Sequence, residues 1–204
     1  MALIANLAAT VDRSAACFEE VPAARRQQLE RLSAFVRERR GADSLAELTF
    51  ICTHNSRRSH MSQLWAAAAA AHYGIDTVRT YSGGTEATAF NPRAVAAMER
   101  AGFVIENPGG ANPRYQVTIS HQWPVQECFS KVYDDPANPQ SEFAAVMTCS
   151  SADEACPAVH GAALRVAIPW DDPKAADDTP AEAARYDERC RQIGIEMLYL
   201  FSEV

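Results

Sequence analysis

Cys52, Arg57, Arg58 and Ser59 stand where the apolar run Leu48-Thr49-Phe50-Ile51 gives way to a long helical pattern that includes Ala66 to Ala71. Five residues separate Cys52 from Arg58. That spacing lets a loop curl so that the backbone N–H groups of Thr53, His54, Asn55, Ser56 and Arg57 converge with the Arg58 guanidinium on one tetrahedral anion above the sulfur. A helix N-terminus and a guanidinium also stabilise a thiolate, the nucleophilic form of cysteine. The chemistry this loop suits is nucleophilic attack on a bound oxyanion.

The spacing alone is weak. Of 19 basic residues only Lys131 and Lys174 are lysines, so 17 arginines and six cysteines share 204 positions, and about an even chance exists of one accidental C-x5-R. The strand signal before Cys52, the hydroxyl of Ser59 after the arginine and the helix signal beyond it carry the inference. A buried cysteine closing a core strand would leave His54, Arg57 and Arg58 unexplained. Two further segments end apolar runs in reactive residues. Phe143 to Thr148 leads into Cys149, with Cys156-Pro157 seven residues on, and Leu164 to Ile168 leads into Trp170-Asp171-Asp172-Pro173.

Composition narrows the class. The chain is 48% hydrophobic and 22% charged, which suits one globular domain with a full core, or a domain plus an appendage. A formal charge of −7 argues against nucleic acid as a partner and requires any anion site to be positive locally. No apolar run is long enough to span a bilayer, and Met1 to Glu20 lacks the basic flank of a signal peptide. A cytoplasmic setting is expected, where clustered cysteines mean catalysis, redox exchange or metal binding more often than structural disulfides.

The elements that must position these groups are visible as periodicities. Residues 13–40 have helical spacing at Leu29, Leu32, Phe35 and Val36, with Gly41 as a stop, and form an N-terminal helical appendage over 1–46. The strand to Cys52 is followed by a helix ending at Gly74, a strand from Val78 into Ser82-Gly83-Gly84, and a helix opened by Asn91-Pro92 and closed by Gly102. Residues 107–141 read as a long polar insertion with short strands at best. Thr179-Pro180-Ala181-Glu182 is a capping box before a helix with an apolar face at Tyr186, Cys190, Ile193, Met197 and Leu200. The alternation predicts an α/β fold over 47–204, with a central, mainly parallel sheet between helices in three layers. Cys52, Cys149 and Asp172 each follow a strand, and ligands in open α/β sheets bind beyond the strands' carboxyl ends.

The Cys52-to-Ser59 loop with the downstream Asp172-Pro173 resembles the low-molecular-weight protein tyrosine phosphatase superfamily, which includes the thioredoxin-coupled arsenate reductases. The stretch Met147-Thr148-Cys149 to Cys156-Pro157 is similar to the redox pair of the reductases, and Lys174 stands where the phosphatases usually carry tyrosine. The resemblance implies that Cys52 attacks arsenate held by residues 53–59 and that Asp172 protonates the departing oxygen. Cys149 then forms a disulfide with Cys52, and Cys156 takes over Cys149, giving a disulfide that thioredoxin or a similar dithiol reduces. It also implies that Asn55, Ser59 and Ser82 support the loop or the thiolate. No bound cofactor or metal is implied, Gln63 stands where related reductases can place an acidic residue, and the oligomeric state is left open.

Alternatives remain at this level. In a phosphatase, water would hydrolyse the Cys52 adduct and the other thiols would only protect it. In a thiol sensor the cysteines and His160 would hold a soft ion, against which Arg58 argues by repulsion. Asp135, in a second Asp-Asp-Pro, is the lesser candidate acid because no core strand precedes it. Cys149 and Cys156 could be two small core residues. Cys17, Cys128 and Cys190 read as structural, and His72, His121 and His160 as surface or satisfied histidines.

Overall fold

A computed structural model describes residues 2–156 and 158–204. Pro157 of the Cys-Pro pair lies outside the described residues. Four parallel strands form the main sheet, β1 (Ala46–Cys52), β2 (Val78–Gly84), β6 (Phe143–Met147) and β7 (Ala162–Ala167), in the order β2-β1-β6-β7. The two inner strands, β1 and β6, are buried at almost every position, as expected of parallel strands covered on both faces.

Helices α1 (Ala5–Ala15), α2 (Ala23–Gly41), α3 (Arg58–His72), α4 (Pro92–Arg100) and α6 (Glu182–Ser202) pack together. Their core also takes Leu48, Phe50, Ala144 and Val146 from one face of the sheet. Helix α3 is buried almost all round, which explains its run of alanines, since only small side chains let neighbouring helices approach so closely. On α6 the same demand falls on Gly194, where a Cβ would stand 2.9 Å from the Trp65 ring. The opposite face of the sheet carries a small cluster of Ile51, Phe143, Ala145 and Met147 under α5 (Ser150–Ala155). The layers are therefore unequal, and the thin one holds Cys52 and Cys149, with Cys156 packed against it.

The N-terminal segment, expected to be helical, is two helices joined by a 3-10 turn at Phe18–Glu20. Both contribute to the main core through Leu7, Val11, Leu29, Leu32 and Val36. The stretch read as a polar insertion with short strands at best carries β4 (Tyr115–Thr118) and β5 (Gln126–Cys128), which form a three-stranded antiparallel sheet with β3 (Val104–Glu106) just before it. Residues 131–133 then return alongside Gly84, with the Gly84 N–H donating to the Lys131 carbonyl and the Tyr133 N–H to the Gly84 carbonyl, each at 2.9 Å. Asn91 caps α4 as expected, accepting from the Arg93 N–H at 2.9 Å. The capping box expected before α6 does not form: Ala181 occupies the cap with no side-chain cap bond, and Glu182 accepts from the Asp178 N–H at 2.7 Å. No helix among the described residues is long and apolar enough to cross a membrane.

Gly102 ends α4 with φ +107°, and a Cβ there would stand 2.6 Å from the Leu7 amide nitrogen. Gly74 ends α3 with φ +69° but faces open space. Both substitutions strain the backbone, and only one also displaces α1. Gly74→Ala is expected to lower the unfolding free energy by about 1 kcal/mol and Gly102→Ala by at least twice that, compared by urea denaturation.

Candidate active site

Cys52 is the last residue of β1, and the chain turns through residues 53–57 into α3. The loop's carbonyls are tied outward. Those of Cys52 and Thr53 accept from the N–H groups of Thr85 and Glu86 at 3.2 and 2.8 Å, and that of Ser56 from Asn91 at 2.8 Å. The His54 carbonyl accepts from the hydroxyls of Ser130 and Thr88 at 3.0 and 3.1 Å. Among the described residues, the N–H groups from Thr53 to Arg57 donate to no protein acceptor. A run of unused amides at a helix N-terminus is an anion-binding concavity.

Asn55 holds this shape. It takes φ +43°, a conformation asparagine tolerates better than most residues, and it is fully buried. Its Nδ2 donates to Ser59 Oγ at 2.9 Å, and its Oδ1 accepts from the Lys131 N–H at 2.9 Å. Ser59 Oγ lies 3.1 Å from the Cys52 sulfur. Because Asn55 already donates to that hydroxyl, the Ser59 proton is free to point at the sulfur, where it stabilises a thiolate.

The hollow over Cys52 is lined by Thr53, His54, Ser56, Arg57, Arg58 and Asp172 and measures about 10 Å³, the room of a single water. It is small because Arg58 Nη2 binds Asp172 Oδ2 at 2.6 Å while Nη1 donates to the Trp170 carbonyl at 2.9 Å. Arg58 Nε is buried without a partner among the described residues. Asp172 also caps the 3-10 helix Pro173–Ala176, accepting from the Lys174 N–H at 3.0 Å. Asp135 lies outside this hollow and closes its own turn on the Ala137 N–H at 2.8 Å. A much larger cavity, about 490 Å³, lies elsewhere, between α1, α3, α4 and α6 against Trp65 and Cys190, and carries none of these groups.

The second thiol is at hand. The Thr148 N–H and hydroxyl both donate to the Ile51 carbonyl, at 2.7 and 2.9 Å, which places Cys149 beside the start of the loop. Its sulfur lies 3.5 Å from Thr53 Oγ1 and accepts from the Ala152 N–H at 3.4 Å as the cap of α5. Cys156 ends α5 and packs, with Cys52 and Cys149, on one small apolar cluster. All six cysteines are free thiols. Burial pushes the Cys128 and Cys190 thiols up to about 12, which suits inert core residues.

Two expected groups take other roles. The Arg57 side chain turns to Tyr186 Oη, at 2.7 Å, and Asp177 Oδ2, at 3.2 Å, so only its backbone is left to face an anion. Ser82 Oγ pairs with His60 Nδ1 at 3.1 Å and braces α3 rather than the loop. His54 is half-exposed at the rim, 3.6 Å from Glu86. Several supports carry no motif in the sequence. They include Ser130 and Lys131 from the insertion, Tyr186 and Asp177, and the pair Arg25 and Glu196 behind Trp170. Glu196 accepts from the Trp170 indole at 2.9 Å and pairs with Arg25 at 3.2 Å. Arg25 also donates to the Pro169 carbonyl at 2.5 Å, so the N-terminal helices brace the Asp172 loop. An Asp or Arg with no local partner in the sequence was the only available sign.

Fold and site together define a cysteine-nucleophile enzyme for an oxyanion, built on a parallel α/β sheet. Residues 47–113 match the family described as low molecular weight phosphotyrosine protein phosphatase. The arsenate reductase of Bacillus licheniformis is 30% identical over 154 residues, covering 76% of this chain and 93% of the relative. That of Bacillus subtilis is 30% identical over 142 residues, 70% and 84% of the two chains. The fold is shared with a structure described as an arsenate reductase in the phosphate binding state, at 17% identity and a TM-score of 0.51 over 78% of this chain and 99% of that one. A low molecular weight protein tyrosine phosphatase from T. tengcongensis matches at 16% identity and 0.50 over the same shares. The chain belongs to the low-molecular-weight phosphatase family, and its sequence relatives lie on the arsenate reductase side of it.

His60, one residue beyond Ser59, is fully buried and stacked on Phe90 with ring centroids 4.2 Å apart. Burial, helped by nearby Lys131, holds its pKa at about 3 against an ordinary 6.5. The folded value lies below the unfolded one, so the unfolded chain binds this proton more readily. Its stabilising contribution is complete above about pH 6.5 and is lost as pH falls from there toward 3. His60→Gln should show a shallower decline of unfolding free energy across that window than the wild-type chain, measured by denaturant titration at stepped pH.

Proposed function

We propose that this enzyme reduces arsenate to arsenite by a three-thiol relay and that a thioredoxin-like dithiol regenerates it. The observation that carries this reading is the shared position of Cys52, Cys149 and Cys156 on one small cluster beside the anion loop. In a hydrolase these two thiols would only protect Cys52, whereas the relay needs both for turnover.

The geometry supports the following sequence of steps. Arsenate enters the ring of free amides and draws Arg58 away from Asp172. Freed of its guanidinium and facing an anion, Asp172 takes up a proton and can return it to the departing oxygen. The Cys52 thiolate attacks arsenic(V), and water leaves. Cys149 thiolate then attacks the Cys52 sulfur, so an S–S bond forms, the S–As bond breaks, and its electron pair reduces arsenic to the trivalent state. Attack by Cys156 on Cys149 frees the Cys52 thiolate and leaves a Cys149–Cys156 disulfide. An external dithiol reduces that bridge by exchange. The two electrons come from thiols throughout, so no bound cofactor is needed. A reducing compartment such as the cytoplasm suits a chain whose cysteines are all free.

The test is turnover of the purified protein with arsenate, thioredoxin, its reductase and NADPH. Arsenate-dependent NADPH oxidation is expected in the wild type, and Cys52→Ser and Cys149→Ser should each abolish it. Asp172→Asn is expected to slow turnover by about 100-fold. Hydrolysis of p-nitrophenyl phosphate that survives Cys149→Ser, with no arsenate-dependent oxidation in the wild type, would overturn the reductase reading in favour of a phosphatase.

A further inference from the structure

Consecutive arginines of the anion loop grip opposite ends of one short helix. Arg58 holds Asp172, the cap that opens the 3-10 helix Pro173–Ala176, and Arg57 holds Asp177, the residue that closes it. The second grip is a closed ring of three hydrogen bonds. Arg57 Nε donates to Tyr186 Oη at 2.7 Å, Tyr186 Oη donates to Asp177 Oδ1 at 2.7 Å, and Arg57 Nη2 donates to Asp177 Oδ2 at 3.2 Å. The directions around the ring are consistent: the guanidinium donates twice, the phenol accepts once and donates once, and the carboxylate accepts on both oxygens.

The two grips differ in what catalysis asks of them. Arg58 must release Asp172 to take the anion, so the first grip opens in every turnover. The second has no such duty, because the Arg57 side chain is committed to Tyr186 and Asp177. Tyr186 is fully buried on α6, and burial beside Asp177 pushes its phenol up to about 12, so the ring keeps its protons across the working range. Arg93, on α4, steadies the next turn through Asp178 and Glu182, each at 2.6 Å. With the first grip open, the second is what keeps the helix, and Asp172 at its head, over the loop.

We infer that Tyr186 and Asp177 are positioning residues for the acid step: through Arg57 they hold the Asp172 helix in place while Arg58 is occupied by the oxyanion. This rests on the reading of Asp172 as the general acid. Their loss then affects the rate of the chemical step and leaves anion binding, which uses Arg58 and the loop amides, nearly intact.

The experiment compares Tyr186→Phe, Asp177→Asn, Asp172→Asn and the double variant Tyr186→Phe/Asp172→Asn. It reads arsenate-dependent turnover, KM and the pH profile, with unfolding midpoints confirming that each variant is folded. Tyr186→Phe is expected to lower kcat by about tenfold, to change KM by less than about twofold, and to have no further effect where Asp172 is already asparagine. Asp177→Asn should do the same, and in both variants the limb of the pH profile assigned to the acid should weaken. A Tyr186→Phe enzyme with wild-type kcat would overturn the proposal, as would a loss that multiplies fully with that of Asp172→Asn, since the tyrosine would then act elsewhere. The underlying reading fails separately: if Asp172→Asn alone leaves turnover unchanged, Asp172 is not the acid, and the ring has nothing to position.

Discussion

The pair of hydrogen bonds from Thr148 to the Ile51 carbonyl sets the distance scale on which everything else in the site works. Strands β1 and β6 are parallel neighbours at the middle of the sheet, so their carboxyl ends emerge side by side. One of them delivers a nucleophile into a loop of unused amides, and the other delivers a second thiol against that loop's first residue. A one-residue slip in this register would turn the side chain that follows β6 to the other face. The double donor at Thr148 is the local device that prevents it. The Asp172 loop enters on the same terms, since β7 pairs with β6 and the Trp170 N–H donates to the Thr148 carbonyl at 3.2 Å.

Electrostatics follow from that layout. The chain as a whole is acidic, with a formal charge of −7, yet two guanidiniums sit under the mouth of the loop. Each is matched by a carboxylate of the 3-10 helix, so neither is a bare charge in a half-buried site. Partly buried pairs of this kind add little net stability, because desolvation offsets their attraction. Their value is conformational: they hold the site in one arrangement and give way to a better anion at one position only. The N-terminal helices contribute to the same end from behind, through Arg25, Glu196 and the Trp170 indole.

What the sequence shows of this molecule is what local pattern can encode. The strand–Cys52–loop–helix unit, the Asn91-Pro92 start, the glycine stops and the strand ends bearing Cys149 and Asp172 are all set by neighbours within a few residues, and all are visible. The pairing of the short strands between 104 and 128 into one sheet was not, because they are only three or four residues long and their polar connections dominate the composition. Ser130 and Lys131 reach the loop only after the chain has made that detour, and Arg57 meets Tyr186 across 129 positions. Such contacts have no period and no spacing, so residue type alone cannot reveal them. The absence of the capping box has a similar origin: Glu182 is paired with Arg93 from another helix.

The short helix between the two downstream thiols has a consequence of its own. Cys149 and Cys156 cap opposite ends of α5, a six-residue helix. Seven positions of helix span about 10.5 Å, whereas a disulfide needs Cα atoms about 4.4–6.8 Å apart. A Cys149–Cys156 bridge and an intact α5 therefore exclude each other. The dithiol form is wound, and under the proposed relay the bridged form would have to unwind this segment. Under the proposed relay, an external dithiol would meet this segment unwound before it cleaves the bridge, and the segment would be free to wind again only afterwards.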